Sequence, residues 1–178
     1  MNNTANEISG QKEEMATPIP RLTLRKGEKL RHRSLLESLF KEGHSLYDFP
    51  LRLKWRILDE KELEMTFRNE VPERIDPLQM LITVPKRKRR HAVDRVLMRR
   101  RIREAYRLNR LPLKEVVAAD PKIRTLGLAF IYLSDTNIPY EAVERKMKAL
   151  LAKLGNQLAH MASPGYASGY DNRKNHER

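Results

Sequence analysis

A chain of 178 residues is long enough for one domain with its own core and ordinary tails. Its formal net charge of +13 is a statement about partners, either nucleic acid or an anionic membrane surface, rather than about fold. The absence of cysteine excludes disulfides and thiolate metal sites, no run of about 18 apolar residues predicts a membrane-crossing helix, and the N-terminus lacks the basic-then-apolar start of a secretory signal.

Residues 1–20 are polar and aperiodic and read as a disordered extension; 21–161 read as the folded domain and 162–178 as a flexible tail rich in Gly, Ser, Tyr and charge. "RSLLESLFKEG" predicts a short helix. Ser34 and Glu37 match a capping box, Leu35, Leu36, Leu39 and Phe40 form an apolar face, and Gly43 suits the end. "FPLRLKWRIL" alternates: Leu51, Leu53, Trp55 and Ile57 point one way, Arg52, Lys54 and Arg56 the other, as in a half-buried strand with a basic face. "ELEMTFR" reads as a second strand, "NEVPERIDP" as a loop and "LQMLITVP" as a third, more buried strand. A basic loop, "KRKRRH", leads into an arginine-rich helix that Pro112 ends. "RTLGLAFIYL" is a continuous apolar run and predicts a central strand. Val143, Met147, Leu150, Leu151, Leu154 and Leu158 mark an amphipathic helix from Ile138 to about His160. The order α-β-β-β-α-β-α predicts a single small α+β sandwich with helices packed on the sheet.

The charge is concentrated. Pro85 to Arg110 holds twelve Lys/Arg and two acids, Asp94 and Glu104, a net +10. Such a patch is an electrostatic footprint. On a helix of about 100° per residue, Arg95, Arg99, Arg103 and Arg107 form one i, i+4 row, with Arg100 and Arg110 beside it. Leu97, Met98, Ala105 and Leu108 fall roughly opposite, with Ile102 at the edge, while Arg101 must snorkel or reach elsewhere. Like charges at this spacing disfavour an isolated helix by about 0.2–0.5 kcal/mol per pair, so stability alone does not account for the row. Guanidinium forks match phosphate bidentately, and the density, single sign and one-sided spacing predict a phosphate-binding ridge. Lys86 and Arg87 extend it toward the helix N-terminus, itself favourable to anions. The five histidines are scattered without metal spacing, and neither a Gly-rich phosphate loop nor a paired-carboxylate signature stands out.

These residues resemble the protein subunit of bacterial ribonuclease P over about residues 24–160, centred on "TVPKRKRRHAVDRVLMRRRIREAYR". Lys86 and Arg87 stand where the family's strand ends in two basic residues. Ala92, Val93, Arg95, Arg99, Arg100 and the run Arg103-Glu104-Ala105-Tyr106-Arg107 match its helix, and "LRHRSLLESLFKEG" matches its first helix. Val96 and Leu97 replace the usual Asn and Arg, the loop before Ala92 is one residue longer and lacks a glycine, and the segment between first and third strands is longer than usual.

The resemblance implies a ribosomal-protein-like α+β sandwich with a left-handed βαβ crossover around the arginine helix. It implies a protein component of a ribonucleoprotein endoribonuclease acting in the cytoplasm. The RNA subunit would cleave, using bound magnesium ions (Mg2+). The protein would bind that RNA and the 5′ leader of precursor tRNA, without catalytic residues of its own, membrane contact or an obligate protein partner. Carried over by position, Lys86, Arg87, Arg95, Arg99, Arg100, Arg103 and Arg107 would face RNA, while Leu36, Phe40 and Lys54 would line the leader cleft. Three other readings stay open: a structured-RNA-binding protein without a role in cleavage, a DNA-binding protein that puts the arginine helix in a major groove, and a protein nuclease with His91 as base.

Overall fold

The computed structural model describes residues 22–67, 71–72 and 75–162. The predicted extension 1–20, parts of the predicted 69–77 loop and the tail beyond Ala162 lie outside the described residues. In chain order the elements are α1 (Arg33–Glu42), β1 (His44–Asp48), β2 (Leu51–Leu58), α2 (Glu60–Thr66), β3 (Leu78–Thr83), α3 (Ala92–Asn109), α4 (Leu111–Ala119), β4 (Thr125–Tyr132) and α5 (Tyr140–Ala162).

The four strands form one mixed sheet in the order β1-β2-β4-β3. β1–β2 and β2–β4 are antiparallel and β3–β4 parallel, so α3 and α4 lie in a crossover between parallel neighbours. β4 is central and buried along nearly its whole length, as its continuous apolar run predicts for a strand covered on both faces. On one face Leu51, Leu53 and Trp55 of β2, with Met80, Leu128 and Phe130, pack against α3, α4 and α5. On the other, Leu35 and Leu39 of α1 and Leu63 of α2 close a smaller cluster over Leu58 and Ala129. The alternation of β2 thus places Arg52, Lys54 and Arg56 on the α1 side.

Several local expectations are corrected. "ELEMTFR" is not a strand: α2 forms there because Asp59 accepts from the Glu62 amide at 2.7 Å while Glu62 accepts from the Asp59 amide at 3.4 Å. That reciprocal cap, with Glu60 and Glu62 in the first turn, overrides the alternation. The third strand ahead of α3 is instead β1, immediately after Gly43. Ser34 and Glu37 make no capping box: the helix starts two residues earlier, His32 is the N-cap, and Glu37 pairs with Arg33 at 2.6 Å. Gly43 does close α1, but by space rather than by a left-handed φ: its φ is −73°, and a Cβ would collide with the Leu39 carbonyl oxygen. Pro112 follows the end of α3 as expected, and then sits in the first turn of α4, where its missing N–H has no helical role.

A strap built by residues 22–30 ties the layers together. Met80 N donates to Glu28 O at 2.8 Å and Leu30 N to Met80 O at 2.9 Å, which covers the free edge of β3. Arg110 is buried, and its guanidinium donates to Glu28 Oε1 (3.3 Å), Leu22 O (2.9 Å), Thr23 O (3.1 Å) and Arg107 O (2.6 Å). The Glu28 carboxylate also accepts from Arg25 N at 2.8 Å. Arg110 therefore belongs to the frame and not to the ridge beside which the helical wheel set it.

Removing one partner of a buried, hydrogen-bonded pair leaves the other charge uncompensated, so Arg110→Met is expected to cost about 3–5 kcal/mol. The urea unfolding midpoint reads this out. Glu28→Gln combined with Arg110→Met should recover part of the loss, and a single variant as stable as the parent would show that the strap does not hold α3.

Candidate nucleic-acid interface

α3 buries Met98, Ile102, Ala105 and Tyr106, and the Tyr106 ring lies 5.5 Å from that of Phe130. This face is rotated from the one the wheel suggests. Leu97 and Leu108 are not buried; both are about 37% exposed, alongside Val96 at 38% and Val93 at 79%. Tyr106 displaces them because its large ring fills the space over β4. The rotation decides the fate of each arginine.

Arg95 falls beside the buried strip and turns back, its Nη1 donating to Arg89 O (3.0 Å) and Arg90 O (2.6 Å). Arg89 pairs with Asp94 at 2.7 Å and bonds the Asp135 carbonyl, while Asn137 donates to Asp94 at 2.7 Å. Arg101 reaches the Ile138 carbonyl. These contacts lock the 86–91 loop and the N-terminal half of α3 to the segment after β4. Arg107 is held by Glu104 through Nε–Oε2 (2.9 Å) and Nη2–Oε1 (2.5 Å). That bond holds the Glu104 carboxyl below its ordinary value and raises Arg107 above its own.

Arg99, Arg100 and Arg103 remain, and with Lys86 and Arg87 in the turn after β3 their side chains make no hydrogen bond or ion pair among the described residues. Arg90, exposed in the same loop, joins them although the sequence reading did not single it out. The structure thus brings five of the seven expected RNA-facing residues onto α3 and its leading turn as unengaged cations. Arg95 and Arg107 share the surface but already have partners. His91 is the exposed N-cap of α3, without a side-chain cap bond.

The α1 face assembles separately. Lys54 Nζ donates to the Phe40 carbonyl at 2.6 Å and sits 5.8 Å from the Phe40 ring centroid. Phe40 is 43% exposed. Burial, then the charge of Arg52, hold the Lys54 ammonium below the usual lysine value. Leu36 is half-buried and packs on the smaller core cluster. The third cation of β2 is spent: Arg56 bonds Ser38 Oγ (2.5 Å) and pairs with Glu42 (2.5 Å) and Glu62 (3.4 Å).

A small mixed α+β sandwich with arginines on α3 that make no ion pair, and a lysine set against an exposed aromatic ring, has the features of a small basic nucleic-acid-binding class of protein. A family model described as Ribonuclease P matches residues 24–155. "Ribonuclease P protein component" of Porphyromonas gingivalis strain W83 is 34% identical over 141 residues, 79% of this chain and 93% of the relative. Its counterpart from strain ATCC 33277 is 33% identical over 134 residues, 75% and 88% of the two chains. The fold is shared with the solved Staphylococcus aureus RNase P protein, with a TM-score of 0.50 at 16% identity, covering 71% of this chain and 94% of that one. The chain belongs to the ribonuclease P protein family, and is accordingly a subunit of an endoribonuclease holoenzyme. Among the described residues no helix is long and apolar enough to cross a membrane.

Engaged and unengaged arginines should titrate differently against salt. Arg99→Ala and Arg103→Ala are each expected to flatten the slope of log K against log salt for the matching RNA by roughly 0.7–0.9 per lost phosphate contact. Arg107→Ala should change it less. Glu104→Gln should strengthen binding and steepen the slope, because it releases Arg107. Equal slopes across all four variants would remove this face from the interface.

Proposed function

We propose that this chain binds the RNA subunit of ribonuclease P through Arg99, Arg100, Arg103 and the Lys86–Arg87 turn, and that it holds the 5′ leader of precursor tRNA in the cleft between α1 and the sheet. The observation that carries the reading is the cluster of unpaired cations on one rotational face of α3, next to a helix otherwise pinned by its own bonds. A solvated surface does not require that geometry, whereas a phosphate backbone rewards it.

The division of labour we infer is the one that the family resemblance implies. The RNA subunit performs phosphodiester hydrolysis with magnesium ions that it holds itself. The protein contributes charge, which screens the approach of two RNAs, and a surface, which orients the single-stranded leader near the cleavage site. Phe40 offers a base a partly exposed ring, and Lys54 offers the adjacent phosphate a charge. His91 needs no role as a base in this scheme. Arg95 acts by holding the loop in shape, and Arg107 joins the interface when RNA competes with Glu104 for it. The alternative of a structured-RNA-binding protein without a role in cleavage shares the α3 face but gives no use to the Phe40–Lys54 pair.

In the reconstituted holoenzyme, Phe40→Ala should weaken precursor tRNA binding about 5- to 150-fold, the range expected for one lost base–aromatic stack. Mature tRNA affinity serves as the reference and should fall far less. Equal losses for both ligands would make Phe40 a packing residue and leave the leader without a cleft.

A further inference from the structure

We propose that the leader path continues beyond Phe40 and Lys54 onto a second stacking subsite, formed by Tyr47 and Arg52 at the β1 edge of the sheet. The inference rests on the leader-cleft reading and extends it to nucleotides farther from the cleavage site.

Tyr47 and Arg52 are cross-strand partners, and their row continues through Ile131 of β4 to Thr83 of β3. Arg52 and Lys54 are two apart on one strand and therefore share a face. The Arg52 guanidinium carbon lies 5.0 Å from the Tyr47 ring centroid, and the ring is 57% exposed. The arrangement repeats that of Lys54 and Phe40: a cation backing an exposed ring, at consecutive outward positions of β2, about 7 Å apart along the strand. An extended single strand can place successive bases on such a pair of platforms.

Arg52 is also incompletely satisfied. Its Nη2 donates to Ser45 Oγ at 3.1 Å, but its Nε is buried and finds no acceptor among the described residues. The guanidinium thus keeps donor capacity that a shift toward a phosphate or base oxygen beside Tyr47 would use. The nearest acid in sequence does not compete, because Asp48 points to the other face and is taken by Lys146 at 2.6 Å. Cations and an open aromatic ring without a local carboxylate favour a single-stranded nucleic acid over an acidic peptide or a second copy of the chain.

Position sets the order of contact. β3 leads into the basic turn and α3, whereas β1 is the opposite edge of the sheet. A leader that comes from the α3 side over Lys54 and Phe40 meets Arg52 two residues along the same strand and then Tyr47 on the outer strand, three strand spacings, about 14 Å, from β3. Tyr47 therefore reads leader length.

The test uses the reconstituted holoenzyme and precursor tRNAs whose leaders are lengthened one nucleotide at a time. Dissociation constants are measured for the parent, Tyr47→Ala, Tyr47→Phe, Arg52→Gln and Phe40→Ala. The parent should gain affinity in steps. Tyr47→Ala should lose only the later step, about 5- to 150-fold on long leaders, and match the parent on short ones. Tyr47→Phe should keep that step and Arg52→Gln should reduce it. If Tyr47→Ala follows the parent at every length, or falls equally at every length, the second subsite is overturned. If Phe40→Ala still removes an early step in that case, the cleft reading survives alone. A parent indifferent to leader length would overturn both.

Discussion

Burial of Met98, Ile102, Ala105 and Tyr106 against the sheet fixes the rotation of α3, and with it which arginines meet solvent. The helix cannot owe its stability to its own surface, because its like charges repel at i, i+4 spacing. It is held from outside: by the core beneath it, by the Arg110–Glu28 strap at its C-terminal end, and by Arg89, Asp94, Asn137 and Arg101 along its N-terminal half. Pinning at both ends fixes the helix positions from which Arg99, Arg100 and Arg103 project, while their side chains have no partners among the described residues. A guanidinium carried on a pinned helix costs less backbone freedom on meeting a phosphate than one on a mobile loop.

The opposite face of the sheet uses the same economy. Of the three cations that alternate along β2, Arg56 is consumed by Ser38, Glu42 and Glu62 and joins α1 to α2. Lys54 and Arg52 instead back exposed rings. The sheet thus separates two surfaces. One is a ridge of arginines, which the proposed function assigns to the folded RNA, and the other a shallower face of rings and cations, which it assigns to the single-stranded leader. Both meet near the C-terminal end of β3, where the chain leaves the sheet for the Lys86–Arg87 turn.

Much of this was legible in the residues, for identifiable reasons. β2 alternates because one face is core, β4 runs apolar because both faces are covered, and α5 carries its stripe over many turns. The resemblance supplied the family that the comparisons then showed. What failed was local. The capping signal Asp59…Glu62 sets a helix where "ELEMTFR" reads as a strand, and Met65 points to solvent. β1 is too short for a periodicity, and α4 hides behind Pro112, which ends one helix and starts another. A helical wheel assigns direction but not partners. It could not show that Arg95 folds onto loop carbonyls or that Arg110 binds a glutamate 82 residues earlier. Nor could it weigh the Tyr106 ring against Leu97 and Leu108 for the buried side.

The central claim is that the protein supplies binding surface while its RNA partner supplies the chemistry. The most direct measurement is cleavage of a 5′-labelled precursor tRNA at low magnesium by the protein alone, by the matching RNA subunit alone and by the two together. Correct 5′ cleavage in the mixture only is the predicted result. Cleavage by the protein alone would contradict the account and make this chain a nuclease. An inactive mixture, beside an RNA subunit that works at high magnesium, would contradict it from the other side by showing that the arginine face serves some other RNA.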